Sequence, residues 1–245
     1  MRPQPHAPAN LLQLRLGVHV TLADHELARV RQAELRARTV IGADRTLMME
    51  GRPIETPYFM MAGWATSARQ LADGRRQLLA IHLPGDIIGL HPRPHPIALT
   101  TVVAITSLSV VDATDLSPAW REPQRHPGLS AALDILAAED EHYLLGHVAR
   151  LGRQSAYERM AHLFCELEYR LQGRGLSTGA SFQMPMTQEL LADALGLSVV
   201  HVNRTLQQMR REGRIELGRG RLTLLDLQGL REAGEFRPPR VSSAL

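Results

Sequence analysis

The sequence predicts an α+β protein in three parts: an N-terminal double-stranded, jelly-roll-like β-roll, a long dimerisation helix and a C-terminal winged helix-turn-helix. Three observations predict it. Between about residues 38 and 112, short apolar runs are broken by Gly, Asp-Gly and Pro-Gly. From about Leu129 the apolar period switches to helical spacing. After residue 186, two short helical patterns flank a glycine turn and lead into a Gly-rich hairpin.

Taken in order, residues 1–20 contain three prolines and little pattern, and read as a flexible lead-in. Residues 21–126 form the β-roll, entered through "TLADHELARV", where Thr21 or Asp24 caps a short helix. Asp73-Gly74 marks a hairpin turn. In "TTVVAITSLSVV", Val102, Ala104, Thr106, Leu108 and Val110 alternate with neighbours facing the other way. "HPRPHP" at 91–96 cannot lie in a central strand and is a loop. Residues 127–153 form the long helix, with Leu133, Leu136, Leu144, Val148 and Leu151 as its dimerisation stripe. A helix this long outruns a small β-roll and needs a second apolar surface, which self-association supplies. A second helical run, 155–172, and a flexible Gly-rich hinge, 173–181, open the winged part, 154–237; residues 238–245 are a tail.

Composition narrows the function classes. Apolar residues make up 44% of the chain, enough for a real core, yet no run of about 18 of them reads as a membrane span. The first residues lack the apolar stretch of a secretory signal. The single cysteine, Cys165, excludes an internal disulfide or an all-cysteine metal or iron–sulfur site, so the expected address is a reducing cytoplasm, away from membranes. The net charge is only +3, but six arginines (Arg204, Arg210, Arg211, Arg214, Arg219, Arg221) lie between Leu197 and Arg221 against Glu212 and Glu216. That concentration points to a polyanionic partner for the C-terminal part.

The segment "LSVVHVNRTLQQMRREGRI" carries the chemistry. Thr187 caps the first helix, with Gln188 beside it; Gly196 makes the turn, Ser198 caps the second helix and Gly213 ends it. On a helical wheel Val202, Leu206 and Met209 share the packing face, with Val199 at its edge. The opposite face carries Val200, Arg204, Gln207 and Arg211, flanked by His201, Asn203 and Gln208. A valine at the centre of a polar face suits the major groove, where it meets a thymine methyl. Arg204 reaches a phosphate or a guanine edge, and Asn203 pairs with adenine. Arg211, Arg214 and the wing arginines Arg219 and Arg221 suit phosphates, which hold register without reading sequence. The competing reading is a solvated basic helix at another kind of interface.

In this order of parts, "LPGDIIGL", the long helix and "TQELLADALGLSVVHVNRTL" resemble the Crp/Fnr family of bacterial transcription regulators over about residues 22–233. "MEGRP" (49–53), "AGWATSARQLADGRRQLLAIHLPGDIIGL" (62–90) and "GRQSAYERMAHLF" (152–164) match as well. The resemblance implies a homodimer on a palindromic double-stranded DNA operator. It implies a small-molecule effector in the β-roll that repositions the recognition helices, and RNA polymerase as partner of an activator. Carried onto this chain, the effector pocket falls at Gly85, Asp86, Gly89, Leu90, His91, Ala98, Leu99 and Thr100.

The departures limit what the resemblance transfers. Cyclic-AMP-binding members carry a glutamate where Leu90 stands, and an Arg-Ser pair at about Ala98-Leu99. Without that arginine a cyclic phosphate is poorly compensated, so cyclic AMP is not expected. Oxygen-sensing members use N-terminal cysteines for an iron–sulfur cluster, which this chain lacks. His91 stands near the haem-ligating histidine of the family's carbon-monoxide sensor, which keeps haem as an alternative; a loop histidine is equally a structural residue. No metal site is assigned. Several members carry a cytosine-reading glutamate at the position of Val200. A ligand-binding or adaptor module that does not bind DNA is a further alternative. No nucleophile–base pair or phosphate loop supports an enzyme; Asp86, beside a Pro-Gly turn, is expected to bond backbone amides, and Cys165 to be packed.

Overall fold

The computed structural model describes residues 10–240; the expectations for residues 1–9 and 241–245 lie outside the described residues. The chain divides into two compact units, one built from residues up to 69 together with 81–142, the other from 70–80 together with 143–239.

The first unit begins with α1 (Leu11–Gly17) and α2 (Asp24–Glu34). The flexible lead-in expected up to residue 20 is therefore corrected from residue 10 onward. Leu11, Leu12 and Leu16 put one face of α1 into the core, and burying each side chain contributes on the order of 2 kcal/mol. Neither Thr21 nor Asp24 caps α2. Ala23 holds that position, and its N–H donates to the carboxylate of Glu26 at 2.8 Å.

Eight strands follow: β1 (Thr39–Ile41), β2 (Thr46–Met48), β3 (Tyr58–Ala62), β4 (Ala65–Gln70), β5 (Arg76–His82), β6 (Ile87–Ile88), β7 (Thr101–Ala104) and β8 (Leu108–Asp112). They make two antiparallel-paired sheets in the orders β1-β8-β3-β6 and β2-β7-β4-β5. Strand alternation works on both faces of β3. Met60 enters the cluster shared with Met48, Ile88, Val102 and Val110, while Phe59 and Met61 join the helical cluster of α1 and α2. The alternating run breaks into β7 and β8 because Thr106 sits in the turn, where its Oγ1 accepts the Trp64 N–H at 3.0 Å. Asp73-Gly74 forms the expected turn, with Gly74 at φ +85° and the Arg75 N–H bonded to Asp73.

After α3 (Ser117–Arg121), α4 (Pro127–Arg153) runs for 27 residues. Its Leu129, Ala132 and Leu133 close the helical cluster of the first unit. The second unit continues with α5 (Ala156–Gln172), β9 (Ser181–Gln183), α6 (Gln188–Leu195), α7 (Val199–Arg211), β10 (Ile215–Gly218), β11 (Arg221–Leu224) and α8 (Leu227–Ala233). The wing is a three-stranded sheet, β10-β11-β9, rather than the two-stranded hairpin its glycines suggest. The end of the expected hinge is thus a strand: Leu222 pairs with Phe182, and Phe182 is buried. Among the described residues no helix is long and apolar enough to cross a membrane.

Candidate nucleic-acid interface and ligand cavity

The helix-turn-helix is built by its caps. Thr187 Oγ1 accepts the Leu190 N–H at 3.2 Å, and Ser198 Oγ accepts the His201 N–H at 3.3 Å. Between the helices Gly196 lies at φ +62°, and a Cβ there would come within 3.2 Å of the Leu151 side chain, so the turn needs a bare residue. Val202, Thr205, Leu206 and Met209 are buried, and their hydrophobic face fixes α7 in azimuth. The wheel does not mark Thr205 as buried; its hydroxyl donates to the His201 carbonyl at 2.9 Å, which lets a polar side chain lie inside.

What α7 turns outward follows from that anchoring. His201, Asn203, Arg204, Gln207 and Arg211 are exposed. Val200 is 67% exposed and Val199 40%, so Val199 is more open than a position at the packing edge implies. Arg204 makes no hydrogen bond or ion pair with another described residue, and neither does Arg219 at the wing tip. Asn203 instead donates to Gln188 Oε1 at 3.3 Å, tying α7 to the start of α6. Arg210 donates to the Leu217 carbonyl at 2.7 Å and so braces the wing. Arg219 and Gly220 both have positive φ, 52° and 72°, the conformation of a two-residue hairpin turn. An arginine pays roughly 1–2 kcal/mol to stand there.

The same unit carries a buried ionic network between α4 and α5. Arg150 pairs with Glu166 at 2.6 Å and donates to His147 Nδ1 at 2.8 Å, and Arg170 reaches the other Glu166 oxygen at 3.3 Å. Burial pushes the Glu166 pKa up, but Arg150 and Arg170 outweigh it and hold the group below the usual carboxylate range. Burial, reinforced by Arg150, takes His147 down to about 4. Cys165 is buried and its thiol is pushed up to about 12, mainly by desolvation, so it is a packed, unreactive side chain. In the same unit Arg76 pairs with Asp193 of α6 at 2.7 Å, and Gln77 donates to the Asp193 carbonyl at 2.9 Å.

The expected dimer stripe divides. Leu144 and Val148 are exposed, as is Leu145, which the stripe omitted. Leu133 is 2% exposed and belongs to its own unit's core, Leu136 packs against that core, and Leu151 packs beside Gly196. Leu133 is therefore corrected: a side chain already buried in its own chain cannot serve a partner. The spacing of 133 and 144 looks continuous in sequence, but α4 changes neighbours between them.

The first unit contains a cavity of about 640 Å³ beside the Pro-Gly-Asp turn. Gly85, Asp86, Leu90, His91 and Leu99 line it; Gly89, Ala98 and Thr100 do not. Ala98 is packed in the cluster between the sheets, and at Gly89 (φ +78°) a Cβ would come within 2.3 Å of Met48. Asp86 accepts the Leu83 N–H at 2.8 Å, as expected beside that turn. Sequence reading missed the other wall: Arg15 from α1, Trp120 from α3, and Leu133, Leu136 and Asp140 from α4. Arg15 is paired with Glu139. Burial weakens its hold on the proton, and Glu139, Asp86 and Asp140 more than reverse that. His91 Nδ1 accepts the Arg93 N–H at 3.0 Å.

A capped helix, a glycine turn, a second helix anchored by one face and open on its basic face, and a wing define a winged-helix DNA-binding protein, here joined to a β-roll through a long helix. A family model described as a Crp-like helix-turn-helix domain matches residues 158–233. The transcriptional activator protein FnrL of Cereibacter sphaeroides is 30% identical over 203 residues, 79% of each chain. The nitrogen fixation regulation protein FixK of Bradyrhizobium diazoefficiens is 28% identical over 204 residues, 82% of this chain and 84% of that one. The structure of FixK2 from Bradyrhizobium japonicum superposes with a TM-score of 0.71 at 27% identity, covering 84% of this chain and 98% of that one. The chain belongs to the Crp/Fnr family and is a DNA-binding transcription regulator.

Proposed function

We propose that the protein acts as a homodimer that sets two copies of α7 into successive major grooves of a palindromic operator. Exposed Leu144, Leu145 and Val148 on α4 supply the self-association surface, since three apolar side chains in open solvent want a partner. Val200 meets a thymine methyl and Arg204 a base edge, while Thr187, Gln188, Ser198, Arg211 and Arg219 hold the backbone. RNA polymerase is the further partner where the regulator activates. No catalytic role is assigned.

The observation that carries the reading is the outer face of α7, where Arg204 has no partner within the described residues beside a 67%-exposed Val200. Anisotropy titrations on a selected palindromic site test it. Arg204→Ala is expected to weaken specific binding about 10- to 100-fold per half-site, with affinity falling steeply as salt rises. Unchanged specificity in this variant removes Arg204 from the reading.

The β-roll cavity is the proposed effector site. Its apolar wall and the Arg15 guanidinium already paired with Glu139 favour a neutral or cationic, largely apolar molecule over a cyclic nucleotide. Haem does not fit His91. With Nδ1 accepting from Arg93, the neutral ring carries its proton on Nε2, the reverse of the tautomer that ligates through Nε2.

A further inference from the structure

We propose that His25, Glu26 and His126 form a binding site for a divalent transition-metal ion of the zinc type, clasping the start of α2 to the start of α4. One ring nitrogen of each histidine and a carboxylate oxygen of Glu26 lie within 4.8 Å of one another. Metal–ligand bonds of about 2.0–2.2 Å put tetrahedral donors roughly 3.4 Å apart, so small side-chain rotations close the set. The two rings are 5.5 Å apart between centroids.

Each residue is prepared for the role. Glu26 is 1% exposed, and its carboxylate is held by the N–H groups of Ala23 (2.8 Å) and Leu129 (2.9 Å). Each oxygen keeps a second lone pair. A Cβ at Gly128 would come within 2.6 Å of that carboxylate, so the chain is bare where Glu26 enters. His126 is 9% exposed, and its Nδ1 is buried without a hydrogen-bond partner. A buried nitrogen in that state costs free energy, which a Lewis acid relieves. His25 Nε2 donates to the Arg125 carbonyl at 3.0 Å, the kind of backbone contact that orients a ligating imidazole. The His25 side of the site is exposed, leaving a fourth position open to water.

Two imidazoles and one carboxylate suit zinc, iron(II) or cobalt(II) and disfavour calcium and magnesium, which take oxygen donors. About a hundred residues separate His126 from the other two, so the sequence carries no ligand spacing that marks the site. The proposal stands independently of the DNA-binding reading.

The test uses the full chain, stripped of metal by a chelator and titrated with Zn²⁺ against a chromophoric competitor. A parallel titration with Co²⁺ is followed by its visible absorption. One ion per chain is expected, with a rise in Tm. His25→Ala changes an exposed side chain and is expected to fold as the parent does, yet bind at least ~100-fold more weakly, as is His126→Ala. A His91→Ala, His95→Ala double variant keeps full affinity. Absence of stoichiometric binding by the parent, or parental affinity in folded His25→Ala, overturns the site.

Discussion

In the winged unit the proposed DNA contacts centre on the exposed side of the 13-residue α7, with the α6 cap and the wing tip beside it, and the buried charged groups lie apart from them between α4 and α5. In the β-roll unit the arrangement is reversed. Its polar groups gather at places where distant segments meet: Arg15 with Glu139, and His25 and Glu26 with His126. The difference teaches where each function is vulnerable. A surface helix loses contacts one at a time, whereas a site assembled from remote segments depends on every segment holding its place.

The comparison is broken most directly in the network between α4 and α5. Arg150→Ala leaves Glu166 buried with less compensation, and about 3–5 kcal/mol of stability is expected to go, roughly a 10 °C fall in Tm by calorimetry. Tolerance of that substitution would show that the network is decorative.

A smaller effect, near 3 kcal/mol, is expected from pH. His147 takes a proton at an ordinary 6.5 in the unfolded chain and at about 4 in the folded one. Its contribution is complete above pH 6.5, where both states leave the ring neutral. It is lost as pH falls from 6.5 towards 4, because only the unfolded state gains the proton. Denaturant melts across that window check this, and His147→Gln is expected to flatten the slope.

The smallest effect sharpens the outer face. Replacing the thymine opposite Val200 by uracil removes one methyl contact, worth about 0.8 kcal/mol, or roughly fourfold in affinity. Equal binding of both operators places Val200 away from that methyl.

How far the sequence could be read follows the same division. Val202, Leu206 and Met209 were legible as a packing face because a helix keeps its neighbours at fixed spacing. The β-roll was legible from its turns. Helix α1 was not, because three prolines precede it and its signal is only Leu11, Leu12 and Leu16 over seven residues. Strand β9 was hidden by the glycines before it, with Phe182 its one apolar marker. The eight expected pocket positions followed chain order, but in the irregular segment before β7 Ala98 is packed inside while Leu99 is 76% exposed. The cavity wall from Arg15, Trp120 and Asp140 depends on tertiary contact and has no local signal.

The bond between Asn203 and Gln188 bears on how sharply this regulator discriminates among operators. It engages one of the two amide N–H groups of Asn203, leaves the other N–H and Oδ1 uncommitted, and holds the amide in one orientation. An adenine contact of the kind expected from the sequence either keeps that orientation or gives up the Gln188 bond, and in the second case the selectivity gained is the difference between two hydrogen bonds. On the proposed reading of α7, Arg204, with no such bond to another described residue, carries the stricter contact.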